Sequence, residues 1–170
     1  VGNNEQILET IEAFHDCKRS TEQENNQGYT PLMIAANRGK TKDIIIALLD
    51  TGSKITTQDH NQKNALHHAI EGKSTEAFTA LMELLSYEDN REVGNMYDGL
   101  VTAIKEKLTT ISGILITWRN PIKNDYMIDV NETFTRGENT LMKEAMKGHH
   151  LFEIPNQLLE RGIKFTNHKD

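Results

Sequence analysis

Cysteine, proline and aromatic residues are all scarce in this chain of 170 residues, which holds one cysteine, three prolines, one tryptophan and 6% aromatics. Each scarcity closes off a class of protein. A lone Cys17 allows no internal disulfide and no paired-thiol zinc site, and the composition suits a reducing compartment, so the expected location is the cytosol. No window approaches the roughly 18 uninterrupted apolar residues of a membrane-spanning helix, and the opening VGNNEQILETIEAF lacks the basic-then-apolar order of a secretory signal. The chain therefore reads as soluble, with no membrane partner. Positive charge is short as well: 19 Lys+Arg against 25 Asp+Glu, a formal net charge of -6, make no field to draw in a phosphate backbone, and nucleic acid is not an expected ligand. G-x-G-x-x-G, G-x-x-x-x-G-K-[ST] and H-E-x-x-H are missing, so no cofactor, metal or small-molecule substrate is expected. A hydrophobic content of 36% supports a core that is shallow or elongated rather than large.

What the chain does have is internal repetition. YTPLMIAANRG (29 to 39), KNALHHAIEGK (63 to 73), YDGLVTAIKEK (97 to 107) and ENTLMKEAMKG (138 to 148) open alike, and their leucines Leu32, Leu66, Leu100 and Leu141 are spaced 34, 34 and 41 residues apart. Downstream of each comes a second apolar segment ending in a pair: Leu48 and Leu49, Leu84 and Leu85, Leu115 and Ile116, Leu158 and Leu159. In the first and last units the pair leads to Gly52 and Gly162, placed where a helix stops in a left-handed residue. Short stretches such as SKITTQD, MIDVNE and IKFTNHKD then lead on as extended chain.

The physics of one unit follows from its letters. Thr30 can accept from the free N–H groups of a helix start, Pro31 costs nothing at the first helical position, and Leu32, Ala35 and Ala36 make a narrow inner face. Gly39 breaks the first helix; Ile44, Ile45 and Leu48 give the second its buried stripe. One such pair cannot bury both faces, so units must stack.

This order of TPL-x-x-A-A, a central glycine, L-L-x-x-G and a closing polar stretch resembles the ankyrin repeat, whose period of about 33 it matches. The resemblance implies an all-α solenoid of helix-turn-helix units joined by short hairpin loops. It divides residues 1–170, as one domain, into a partial repeat (1–24), repeats at 25–58 and 59–92, a degenerate repeat at 93–133 and a last repeat at 134–170. It is strongest over residues 25 to 73 and 137 to 167. Unit two has Asn64 and Ala65 for Thr-Pro and Lys73 for the central glycine; unit three has Arg119 for the helix-stopping glycine. In unit four, Glu144 replaces an inner alanine and Pro155 marks the first turn of a shortened helix. Aligning LITW and IDVN with unit one puts the longer last interval down to an inserted loop near residues 119 to 125. Residues 4 to 16 read as a second helix without its first, and NHKD reaches a repeat seam, so the chain is expected to be part of a longer protein.

Side chains that invite chemistry have blander readings. His67 falls where ankyrin repeats commonly carry a helix-start histidine bonded to its neighbours, and neither it nor His68 has a metal partner set. His149 and His150 are adjacent, hence about 100° apart on a helix. His15, Asp16 and Cys17 diverge in the same way, leaving Cys17 an incidental thiol, and Trp118 is read as packing.

By the resemblance, Tyr29, Lys63, Tyr97 and Glu138 stand at equivalent places on the hairpin fingers, facing a concave groove. The same pattern puts Asn26, Gln27, His60 and Asn61 at hairpin tips, and Asn37, Arg38, Glu71, Lys105 and Glu106 at first-helix ends. The expected function is that of a monomeric, non-catalytic module binding a protein or peptide partner through this groove by hydrogen bonds and charge. Its rivals are an enzyme with a pocket at the 119–125 insertion, against which the missing acid–base constellation argues, and a structural spacer or targeting segment of a larger protein. The frequent Asn, Lys and Ile also look like ankyrin proteins that intracellular bacteria deliver into host cells.

Overall fold

The computed structural model describes residues 23–85, 96–118, 128 and 153–160. The described residues form seven helices and no strand: α1 Pro31–Asn37, α2 Lys42–Asp50, α3 Ala65–Glu71, α4 Thr75–Leu85, α5 Tyr97–Lys105, α6 Thr109–Thr117 and α7 Glu153–Glu160. The chain divides into two compact units, Val1–Gly94 and Asn95–Asp170. Residues 1–22 of the partial repeat, the loop at 119–125, Glu138, Glu144 and the pair His149 and His150 lie outside the described residues.

In the first unit the helices come in pairs, with α1 against α3 and α2 against α4. Helix α1 starts because Thr30 is extended and its hydroxyl accepts from Met33 N at 3.3 Å, with Pro31 next in line. Asn64 does the same for α3, accepting from Leu66 N at 3.1 Å and His67 N at 3.2 Å, so the unit lacking Thr-Pro is capped by a different side chain of equal capacity. The inner faces are Leu32, Ala35 and Ala36 on α1, joined by Met33, and Leu66, Ala69 and Ile70 on α3. Ile44, Ile45 and Leu48 form the stripe on α2; Ala77, Phe78 and Leu81 continue it on α4. Leu32 and Leu66 are 0% exposed, and burying one such side chain contributes about 1.5–3 kcal/mol, so the stack rather than helix propensity holds these seven-residue helices together.

Helix termination shows how the degenerate letters are tolerated. After α1, Gly39 at φ 62° donates to Ala36 O and Lys40 N donates to Ala35 O. After α3, Lys73 at φ 56° donates to Ile70 O and Ser74 N to Ala69 O; after α5, Lys107 at φ 60° donates to Ile104 O and Leu108 N to Ala103 O. Gly52 at φ 98° closes α2 with the same pair of bonds, to Leu49 O, and from Ser53 N to Leu48 O. The left-handed residue is thus retained where glycine is not. Gly72 is needed for a different reason: a Cβ there would lie 1.9 Å from Asn37 O, because the end of α3 rests directly on the end of α1.

In the second unit, α5 and α6 form the same helix-turn-helix, with Leu100, Ala103 and Ile104 facing Ile111, Leu115 and Ile116 in a buried core. Helix α7 packs on α6 through a buried Leu158, and Pro155 is its third residue, within the first turn. Trp118 is half-buried at the C-cap of α6.

Candidate protein-binding surface

The exposed part of each unit-one repeat begins with a turn built by an Asx side chain. Asn25 Oδ1 accepts from Gln27 N at 2.9 Å and Tyr29 N at 3.0 Å, while Gly28 N donates to Asn25 O at 2.9 Å. One repeat later, Asp59 Oδ1 accepts from Asn61 N at 2.7 Å and Lys63 N at 3.0 Å, and Gln62 N donates to Asp59 O at 2.9 Å. Gln62 holds φ 61° where Gly28 holds φ 80°. The two turns touch: a Cβ on Gly28 would meet His60 Cδ2 at 2.8 Å.

Behind the turns lies a polar junction. His68 Nε2 is 2.9 Å from Asp59 Oδ2, with both side chains essentially inaccessible, at 2% and 0% exposed. Burial would raise the Asp59 carboxyl, but the N–H groups of Lys63 and Asn61 and the His68 ring outweigh it and hold it below the ordinary carboxylate range. Asp59 is therefore ionised and Nε2 carries the proton. The Tyr29 ring meets the imidazole edge-on, centroids 4.6 Å apart, tying the finger of one repeat to the first helix of the next. Asn37 Nδ2 donates to His68 O at 3.3 Å from the other end of α1. Lys63 Nζ forms an ion pair with Glu71, which raises the lysine's pKa against a smaller desolvation effect. Glu71 Oε2 also lies 3.6 Å from His68 Nδ1.

His67 is a helix-start residue bonded locally, its Nδ1 2.9 Å from Asn64 Oδ1. The His68–Asp59 pair, 2% and 0% exposed, ties the second finger to α3 and so positions its backbone. Among the described residues no cluster of His, Cys, Asp or Glu could hold a metal ion.

Of the residues expected at a binding face, Asn26, Gln27, Asn37, Arg38, His60, Asn61 and Glu71 are exposed in the first unit, and Tyr29 and Lys63 are half-buried there. Lys105 and Glu106 are exposed in the second unit, at the end of α5. Tyr97 is a correction. Gly99 and Asp98 replace the Pro and Thr of the first repeat, the Asp98 side chain does not cap, and α5 starts two residues earlier than α1. Tyr97 becomes the first helical residue and is 8% exposed, so its ring belongs to the interior rather than to a finger. Asp59 was not among the expected site residues, although its place one period after Asn25 is visible in the sequence.

The two helix pairs of the first unit, stacked on one another, each preceded by an Asx-based finger and each with its first helix closed by a left-handed residue, define a helical repeat protein. The family model for ankyrin repeats, in three copies, matches residues 2–92, and the chain belongs to the ankyrin-repeat family. Among solved structures it is similar to the ankyrin repeat domain of Bcl-3, a member of the IkappaB protein family. The TM-score is 0.66 and the identity 18%, covering 92% of this chain. The match spans 66% of that structure's length, and at this identity it speaks for the fold alone. No curated protein sequence matches the chain.

Proposed function

We propose that this chain is a protein-binding module, monomeric and without catalysis of its own, that works in a reducing compartment and meets its partner through the finger and first-helix face of residues 25–74. Ankyrin repeats are in general protein–protein interaction modules, and this chain belongs to that family. The observation that carries the reading for this face is its preorganisation. Exposed Asn26, Gln27, His60 and Asn61 sit on turns whose backbone is bonded to Asn25 and Asp59, and Asp59 is in turn locked to α3 through His68. A polar surface held in one conformation loses little entropy on binding, so its hydrogen bonds count towards affinity rather than towards ordering the loop.

The test is a pull-down from eukaryotic cell lysate, read by mass spectrometry, with three proteins: the native chain, a Gln27→Ala/His60→Ala/Asn61→Ala variant, and an Asp43→Ala/Asp50→Ala/Glu76→Ala variant altered on the second helices. The comparison holds only if both variants, altered at six positions in all, keep the native circular dichroism and melting temperature. A partner lost by the first variant and kept by the second supports the reading. Equal recovery by all three, or no partner, favours a spacer role.

A further inference from the structure

The charges of the first unit are segregated. Helices α2 and α4 expose Asp43, Asp50, Glu76 and Glu83 against a single cation, Lys42, which is spent on Glu83 at 2.5 Å. The turns that follow α1 and α3 hold the opposite sign: Arg38 and Lys40 in one, Lys73 in the other, and no carboxylate in either. These turns abut, since a Cβ on Gly39 would lie 3.1 Å from Ser74 Oγ and one on Gly72 would run into Asn37 O. The acidic residue nearest to Lys73 in the sequence, Glu71, is engaged with Lys63 and lies beside His68; the one nearest to Lys40 is Asp43, on α2. Arg38 and Lys40 form no ion pair among the described residues.

Like charges placed on touching turns oppose each other. In a chain of net charge -6 a local positive cluster is also not a by-product of composition. It continues the face on which the fingers stand, because Lys63 of the finger reaches Glu71 at the end of α3.

Resting on the binding face argued above, we infer that the cluster of Arg38, Lys40 and Lys73 takes an acidic segment of the partner polypeptide, with Asp or Glu carboxylates against the two turns and the partner's backbone along the fingers. Arg38 supplies a planar fork that can hold one carboxylate through two hydrogen bonds, while the two lysines act as point charges. The arrangement makes recognition depend on salt and speeds encounter more than it adds final affinity.

The probe is a fluorescein-labelled Glu-rich peptide, with its Gln-for-Glu counterpart and a single-stranded RNA oligonucleotide, followed by fluorescence anisotropy with the full chain. The acidic peptide should bind, the Gln peptide should not, and raising NaCl from about 50 to 300 mM should weaken binding at least several-fold as the Debye length shrinks. Arg38→Glu/Lys40→Glu/Lys73→Glu should reduce acidic-peptide binding at least tenfold without lowering the melting temperature. Lys54→Glu, a charge reversal on the turn after the far end of α2, should leave binding within about twofold, as screening confines exposed charges to a Debye length. Equal losses in both variants, no acidic-peptide binding, or tighter binding of the RNA would overturn the inference. If the pull-down partner is lost with the finger variant but kept with the Arg38, Lys40 and Lys73 variant, the binding face stands and its acidic ligand does not.

Discussion

Replacing Lys73 by glycine is expected to stabilise the protein although it deletes a side chain. Lys73 holds φ 56° and ends α3 by donating to Ile70 O. A non-glycine residue in the left-handed region bears about 1–2 kcal/mol of strain between Cβ and the following carbonyl. Glycine bears none, but loses about 0.5–1 kcal/mol more backbone freedom on folding. The difference is a gain of about 0.5–1 kcal/mol, with both closing hydrogen bonds retained because they are made by the backbone. The lysine side chain is exposed, so its own surface interactions lie between about 0 and 1 kcal/mol and have to be separated out. Lys73→Ala does this: it removes the same side chain and keeps the strained Cβ. Urea unfolding followed by far-ultraviolet circular dichroism should rank Lys73→Gly above Lys73→Ala by about 0.5–1 kcal/mol. The mirror change, Gly39→Ala, should lose at least as much, because its Cβ also meets Ser74 Oγ at 3.1 Å. If Lys73→Ala equalled or exceeded Lys73→Gly in stability, the left-handed closure described for α3 would be wrong.

Gly72→Ala should destabilise by about 1–3 kcal/mol or more, read as a lower urea midpoint, since its Cβ meets a backbone oxygen at 1.9 Å that no rotamer can move. Asp59→Asn should cost about 1–3 kcal/mol at neutral pH by weakening charge-assisted bonds to Asn61 N, Lys63 N and His68. The Asp59 carboxyl titrates lower folded than unfolded, so its contribution is complete above the unfolded value near 4 and is lost as pH falls through the folded value. Acid titration of stability should therefore be flatter below about pH 4 in Asp59→Asn than in the native protein. Lys63→Ala should shift stability by less than about 1 kcal/mol, because its pair with Glu71 is solvent-accessible, and a larger loss in thermal melts would mean that Lys63 packs as well as pairs.

Much of this was legible in the sequence, and for a physical reason. Helix starts and inner faces are set by side chains within three or four residues of one another, so Thr30, Pro31, Leu32, Ala35 and Ala36 announce α1 in a short window. The stripe Ile44, Ile45 and Leu48 does so for α2. Where the letters had drifted, the sequence showed the loss but not the replacement. Lys73 could be seen in a glycine position, yet only the backbone shows that the left-handed turn survives there, because burial of Leu66, Ala69 and Ile70 outweighs about 1–2 kcal/mol of local strain. Tyr97 is the converse: its alignment with Tyr29 was correct as a count, but loss of the Thr-Pro start let α5 begin early and drew the ring inside. The His68–Asp59 pair was hidden because the partners are nine residues apart and meet only when the finger folds over α3.

The same contrast separates what holds the repeat from what the repeat presents. Helix closure uses backbone donors and acceptors, so Gly39, Lys73 and Lys107 can differ while the two hydrogen bonds after each first helix do not. The finger backbone is likewise held by one Asx oxygen, whether Asn25 or Asp59, leaving Asn26, Gln27 and Asn61 with no part in holding the turn through their side chains, while the His60 ring lies against Gly28 of the neighbouring turn. Side chains released from structural duty on a rigid backbone are those whose replacement should alter binding and leave stability within about 0.5 kcal/mol. Arg38 and Lys40 meet that condition on the turn after α1, whereas Tyr29, packed edge-on against His68, does not; truncating Tyr29 would confound recognition with the loss of a packing contact.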